Sequence, residues 1–275
     1  MTAAVEMSGV DKVFSRGRPG EVRALSGVDL TVAAGEFVTF IGPSGCGKST
    51  LLRLVADLTE PTAGTVRVNG KTPRQARLDQ DYGIAFQQSG LMDWRSVARN
   101  IELPLELRGW DRRRRRQRAV ELLDLVGLPE FARHRPGELS GGMQQRVAIA
   151  RALAAGPRLL LMDESFGALD EMTRERLQAE LARICRETGA TVAFVTHSIP
   201  EAVYLSSRVV VMSARPGRIT RIVAVDLGER TEDTREAPEF FAKVTEVREA
   251  LRGRSVASSV VRTTLSATEP RGDAR

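Results

Sequence analysis

The sequence predicts an α/β fold built on a parallel sheet, and three observations carry that prediction. Strand-like and helix-like segments alternate through the last third of the chain. A glycine-rich loop, Gly42-Pro43-Ser44-Gly45-Cys46-Gly47-Lys48-Ser49-Thr50, joins an apolar strand over 37–41 to a helix over 48–57. A helical block separates the early strands from the late ones.

Taken in order, the first seventy residues hold short β-like runs at 22–25, 28–32, 37–41 and 65–68. Arg18-Pro19-Gly20, Ala34-Gly35 and Asn69-Gly70 punctuate them. The stretch from about 88 to 155 reads helical. Asp111 caps a helix whose apolar face includes Val120, Leu123 and Val126, with Gly127 just past its end. A second helix starts near Gly141 and stops at Gly156-Pro157. The run 158–162 is continuously apolar after Arg158, as a strand covered on both faces must be. Helix 171–188 ends at Gly189, and strand 191–196 follows. Ser198-Ile199-Pro200-Glu201 opens the next helix with capping-box spacing. Strand 208–212, a turn at Arg215-Pro216-Gly217 and strand 219–225 close the pattern. Residues 237–251 read as a helix, and 252–275, polar and without periodicity, as a mobile tail.

Apolar residues at 42% and charged residues at 28% exclude collagen, a coiled-coil rod and wholesale disorder. Cys46 and Cys185 make no disulfide framework and no metal-ligand spacing, which suits a reducing compartment. No run reaches the ~18 apolar residues of a membrane span, and the first ten residues, with Glu6, do not read as a secretory signal. The expectation is a cytoplasmic protein, or one peripheral to a membrane. Of 41 basic residues only four are lysines, an arginine bias of composition rather than a mark of nucleic acid. The densest run, Arg112 to Arg116 with Arg118, reads as a solvated face, with anionic lipid head groups as the sharper alternative.

The glycine-rich loop has the pattern G-x-x-x-x-G-K-[ST]. Its glycines let backbone N–H groups curl round a phosphate, and the helix that follows turns its positive end to the anion. Lys48 then reaches the β- and γ-phosphates, and the Ser49 hydroxyl is placed to ligate Mg2+. Strand 159–162 ends in Asp163-Glu164; the first carboxylate suits an Mg2+ ligand, the second the polarisation of an attacking water. Leu139-Ser140-Gly141-Gly142-Met143-Gln144-Gln145-Arg146 opens a helix with a natural N-cap and two glycines, a second potential anion site. His134, between two arginines, reads as a surface residue.

On these residues, residues 5–225 resemble the ATP-binding-cassette (ABC) ATPases, whose fold is a P-loop, RecA-like core with an antiparallel β subdomain and an inserted helical subdomain. In that resemblance 139–146 is the signature motif, with Ser140, Gly141, Gly142 and Gln144 completing the site of the opposite subunit. Gln87 is the glutamine that contacts Mg2+ and the attacking water, Asp163 the Walker B aspartate and Glu164 the catalytic carboxylate. Ala168-Leu169-Asp170 is the D-loop, and His197 contacts the γ-phosphate. Phe14, 34 positions before Lys48, is the aromatic that stacks on adenine, with a core position as its alternative. The gap is slightly long for the family, and 15–22 reads as the inserted loop responsible. Ser165 stands where members usually carry Pro. The domain expectation is a cassette over 1–230 (helical subdomain about 88–155), a helix over 231–251 and a tail.

The resemblance implies ATP hydrolysis with Mg2+, a head-to-tail homodimer holding two ATPs, and a separate permease. The runs Leu91 to Val97, Asn100 to Leu105, Phe166 to Asp170 and Met212 to Ile219 are similar to nitrate/sulfonate/taurine importer ATPases, a group that includes vitamin-precursor transporters and usually has Pro at the position of Asp93. Solute choice then belongs to the permease and an extracytoplasmic binding protein, and the chain to the cytoplasmic face of the inner membrane. The competing class is a soluble cassette acting on nucleic acid or the ribosome. One phosphate loop, with Lys48 and Ser140 only 92 residues apart and no heptads or cysteine clusters between them, favours transport and no nucleic acid.

Overall fold

The computed structural model describes residues 3–253. In chain order the elements are β1 (Ala3–Phe14), β2 (Val22–Ala33), β3 (Phe37–Ile41), α1 (Lys48–Val55), β4 (Ala63–Val68), α2 (Pro73–Leu78), β5 (Tyr82–Ala85), α3 (Val97–Leu107), α4 (Arg112–Leu125), α5 (Gly141–Leu153), β6 (Leu159–Asp163), α6 (Glu171–Thr188), β7 (Thr191–Val195), α7 (Ile199–Leu205), β8 (Arg208–Met212), β9 (Ile219–Ala224) and α8 (Pro238–Leu251). The expected mobile tail falls almost wholly on residues 254–275, outside the described ones; Arg252 and Gly253 close α8.

Two sheets organise these elements. A three-stranded antiparallel sheet runs β2-β1-β4, and a six-stranded sheet runs β5-β6-β7-β3-β8-β9. Every residue of β3, β6 and β7 is buried, because helices cover both faces of the larger sheet. The parallel expectation fails at one edge, where β9 pairs antiparallel with β8. A tight turn joins those two strands, and no crossover long enough for parallel pairing intervenes.

Register decides where chemistry gathers. Val195 of β7 pairs with Asp163 on one side and with Phe40 on the other, and Ala85 of β5 pairs with Met162. The chain segments leaving β3, β5, β6 and β7 therefore emerge together at the carboxyl end of the sheet, the usual place for a ligand in such folds.

Several readings of the sequence change. β1 was not among the expected strands, and 22–25 with 28–32 form the single strand β2, which carries Gly27 at φ 58° inside it. α2 and β5 interrupt what periodicity left unassigned before residue 88. Val120 is exposed, and the buried face of α4 is Ala119, Leu122 and Leu123, continued by Val126. That set has the i, i+3, i+4, i+7 spacing, and position 120 lies a helical step of 100° off it. His134 is half-buried against the Phe131 ring, 5.0 Å between centroids, rather than on the surface.

The arginine run is only partly a solvated face. Arg115 lies 3.8 Å from Glu102 of α3, Arg118 bonds Glu121 and the Ala154 carbonyl, and Arg114 stacks 3.8 Å from the Trp110 ring. Asp111 caps α4 as expected, accepting from Arg114 N–H at 3.0 Å. At the other end of the fold, Phe240, Val244 and Val247 line the buried face of α8, which packs on α7, β8 and β9.

Candidate functional site

A cleft of about 390 Å3 opens at the carboxyl end of the large sheet, and its walls come from distant parts of the sequence. Phe14 and Ala24 line it together with Ser44, Gly45 and residues 47–50 of the glycine-rich loop, and Gln87, Glu164 and Arg215 complete its wall. Phe14, at the end of β1, is partly exposed, and the Lys12 ammonium sits 4.9 Å from its ring centroid. It borders the cleft instead of filling the core.

The loop before α1 folds as its glycines require. Gly47 has φ 103°, a left-handed conformation at the N-cap, and a Cβ there would lie 2.7 Å from Leu25 Cδ2 and 2.9 Å from the Ala24 carbonyl. Lys48 is buried, and its ammonium donates to the carbonyls of Gly42 at 2.8 Å and Pro43 at 3.2 Å. The Cys46 side chain is fully buried in the apolar core and does not line the cleft.

Ser49 donates its hydroxyl to Asp163 Oδ1 at 2.9 Å, which brings the two residues read as Mg2+ ligands into contact. Burial holds the Asp163 carboxyl above the usual carboxylate range; the Ser49 hydrogen bond opposes that rise and the neighbouring Glu164 charge adds to it. Among the described residues no three His, Cys, Asp or Glu side chains form a cage for a metal. The oxygen donors of Ser49 and Asp163 still fit Mg2+, a hard ion that protein sites typically hold through one or two carboxylates together with substrate phosphates.

Glu164 adopts φ 46°, the left-handed region that an ordinary side chain rarely enters. Its N–H donates to the Val195 carbonyl at 2.8 Å, and its carbonyl accepts from Gly167 N–H at 3.2 Å. The carboxylate accepts from Gln87 Nε2 at 3.1 Å and lies 3.5 Å from His197 Nδ1. Gln87, Glu164 and His197, read separately along the sequence, thus converge on one carboxylate.

The remaining candidates lie elsewhere. Ser140 caps α5 by accepting from Met143 N–H at 3.3 Å, and Gly142 packs so close to the 168–170 loop that a Cβ would sit 3.0 Å from the Ala168 carbonyl. Ser140, Gly141, Gly142 and Gln144 do not line the cleft. The Gln144 amide turns inward, donating to the Pro136 carbonyl and accepting from Ser89. Asp170 caps α6 through Thr173 N–H at 3.0 Å, and that bond holds its carboxyl below the usual range.

The roles of two residues around the cleft escaped the sequence reading. Arg215, read as part of a turn and of the run similar to importer ATPases but given no role, reaches the glycine-rich loop and donates from Nε to the Gly45 carbonyl at 3.2 Å. Nothing local to 215 signals a partner 170 residues away. Ser165, noted only as a departure from a usual Pro, is fully buried and donates to the Ala85 carbonyl at 3.1 Å. That bond ties the turn carrying Glu164 to the strand leading into Gln87.

A phosphate loop at a helix N-terminus, facing an acidic strand end in a mainly parallel sheet, defines a nucleoside-triphosphate-binding protein. The family described as ABC transporter matches residues 25–167. The chain is 48% identical over 241 residues to the uncharacterized ABC transporter ATP-binding protein MJ0412 of Methanocaldococcus jannaschii, covering 88% of each chain. It is 43% identical to the nitrate import ATP-binding protein NrtD of Synechocystis (91% of this chain, 96% of that one). It is 46% identical to the taurine import ATP-binding protein TauB of Rhizobium johnstonii (87% and 92%). Among solved structures, the dimeric post-hydrolysis state of the ATP-binding cassette MJ0796 bound to ADP and Pi superposes with a TM-score of 0.75 at 37% identity, over 81% of this chain and 99% of that one. The chain belongs to the ABC transporter family as one of its ATP-hydrolysing, ATP-binding proteins, with ATP as nucleotide and Mg2+ as the accompanying ion. A cassette acting on nucleic acid or the ribosome finds no support among these relatives.

Proposed function

We propose that this chain is the ATPase subunit of an importer for a small solute, nitrate-, sulfonate- or taurine-like or a vitamin precursor, and that it works as a head-to-tail homodimer beneath a separate permease. The observation that supports it most is the convergence of Lys48, Ser49, Gln87, Asp163, Glu164 and His197 at one end of the large sheet. The names of NrtD and TauB support import, and the dimer of MJ0796 supports pairing of two cassettes. In this reading the cassette extends to about residue 230 with 88–155 as its helical subdomain, and of the helix expected over 231–251 the part formed is α8, Pro238–Leu251, which packs on α7, β8 and β9. Its place is the cytoplasmic face of the membrane, with an extracytoplasmic solute-binding protein as an indirect partner.

In this reading Lys48 and the backbone N–H groups of residues 44–50 neutralise the β- and γ-phosphates, while Phe14 stacks on the adenine. Mg2+, held by Ser49, Asp163 and Gln87, supplies charge stabilisation to the phosphates when bound. Glu164 orients the attacking water, with Gln87 and His197 fixing where its carboxylate points. Ser140, Gly141, Gly142 and Gln144 of one subunit face the nucleotide of the other, and the inward bonding of the Gln144 amide suits support of that helix start rather than direct contact. Closure of the dimer transmits hydrolysis to the permease.

The test is Glu164→Gln in the full chain joined to its cognate membrane subunits. Turnover is expected to fall roughly 100-fold or more while ATP binding is kept. Wild-type turnover overturns the role of Glu164. Stimulation of the assembled ATPase by nitrate, taurine, alkanesulfonates or pyrimidine precursors, each supplied with its binding protein, identifies the solute class.

A further inference from the structure

Ser198 and Glu201 have the spacing of a reciprocal capping box, yet the structure forms only half of it. Ser198 Oγ accepts from Glu201 N–H at 3.4 Å, but the Glu201 carboxylate does not return to Ser198 N–H. That N–H donates instead to Thr196 Oγ1 at 3.0 Å, and the Thr196 hydroxyl donates to Glu201 Oε2 at 2.6 Å. Glu201 is only 8% exposed, a burial that a carboxylate tolerates when its oxygens are hydrogen-bonded. Its other oxygen accepts from Gln178 Nε2 at 3.0 Å.

A hydroxyl has one hydrogen to give. Because Thr196 gives it to Glu201, only lone pairs remain to face Ser198 N–H. The backbone is thereby fixed on both sides of His197, whose own side chain is 68% exposed. The same carboxylate reaches two further places. Arg174 Nε lies 3.8 Å from Glu201 Oε1, buried and without a hydrogen-bond partner, while Arg174 Nη2 donates to the Leu169 carbonyl at 2.7 Å. Gln178 Oε1 accepts from Arg235 Nη2 at 2.6 Å, and Arg235 stacks 3.7 Å from the Tyr204 ring.

We propose that Glu201 is a positioning residue for His197, and that through Arg174 and Gln178 it links the His197 turn to the 168–170 loop and to the segment before α8. The proposal rests on the reading of His197 as a nucleotide-sensing residue. Displacement of a catalytic-site group by a fraction of an ångström lowers turnover more than it lowers nucleotide affinity.

Glu201→Gln keeps the volume but replaces one acceptor by a donor, so it cannot serve both Thr196 and Gln178 as they stand. The expected result, on the purified full chain, is a fall in kcat of roughly tenfold or more with KM for ATP changed less than about threefold. Thr196→Val, which removes the hydroxyl, should do the same. Exchanging the pair, Glu201→Gln with Gln178→Glu, restores one donor facing one carboxylate, with Arg235 beside the new charge, and should recover most of kcat. His197→Ala run alongside separates the possibilities. A slowed His197→Ala beside wild-type kcat in Glu201→Gln and Thr196→Val overturns the proposal. So does a kcat loss that tracks the unfolded fraction in a thermal melt, since that is a stability effect alone. Wild-type kcat in His197→Ala overturns the reading of His197, and the proposal with it.

Discussion

Gly217 sits where the turn between β8 and β9 presses on the phosphate loop, and its replacement by Ala gives a prediction with a calculable size. A Cβ at 217 would stand 2.0 Å from the Cys46 carbonyl oxygen and 3.1 Å from Met212 Cε. Ordinary non-bonded contact begins near ~3.5 Å, so the turn or the loop must give way by more than about 1 Å. Neither is free to do so. Gly217 N–H donates to the Ala24 carbonyl at 2.9 Å and its carbonyl accepts from Ser26 N–H at 3.0 Å. Cys46 is anchored by a fully buried side chain and by its N–H on the Pro43 carbonyl at 3.2 Å. Overpacking of this kind costs about 1–3 kcal/mol. At about 2–4 °C per kcal/mol for a chain of this size, Tm should fall by roughly 2–12 °C. Because the displaced carbonyl belongs to the phosphate loop, stabilisation by nucleotide should shrink too, by about 1.4 kcal/mol for each tenfold loss of affinity at saturation. Thermal unfolding of Gly217→Ala with and without Mg-ATP reads both effects. A wild-type Tm in both conditions refutes the steric reasoning.

Two more predictions concern the acidic side of the cleft. Ser165→Ala removes a buried hydroxyl from the Ala85 carbonyl and should cost about 1–3 kcal/mol, read as a shifted urea midpoint; an unchanged midpoint means that the bond contributes nothing to stability. The raised pKa of Asp163 makes apparent Mg2+ affinity, measured by ATPase titration, fall on acidification at a higher pH than an exposed aspartate would cause. In metal-free protein the folded state holds that proton more tightly than the unfolded one, so stability declines as pH rises through the folded pKa, and the penalty is complete above it. Asp163→Asn should therefore melt higher than the wild type in metal-free buffer at neutral pH, while losing its Mg2+ response. A lower Tm contradicts the burial argument.

The elements with self-contained signals were legible in the sequence. Glu171–Thr188 begins after a capping aspartate and ends at Gly189 in the left-handed conformation, as its residues specify locally. The glycine-rich loop could be placed because strand, loop and helix are contiguous. Gln87, Glu164 and His197 could be named only one at a time, Glu164 from its place at a strand end and the other two from the resemblance. Val120 was misplaced because a helix with arginines along its first half gives a weak apolar pattern, and contact with α3 and α5 decides which residues face inward.

The sequence by itself determined the chemistry available: a phosphate loop, two adjacent acids at a strand end, a serine-capped helix and a histidine after a strand. Tertiary structure alone decided which of these meet. The pairing of Val195 with both Asp163 and Phe40 brings residues more than a hundred positions apart to one cleft, and long-range bonds to Gly45 and Ala85 hold Arg215 and Ser165 where local pattern gives no sign of them. Hydrophobic spacing and caps act over a few residues and can be read along the chain. Strand order and register are set by the packing of the whole sheet, so the convergence on Glu164 and the diversion of Glu201 from its cap to Thr196 exist only in the folded molecule.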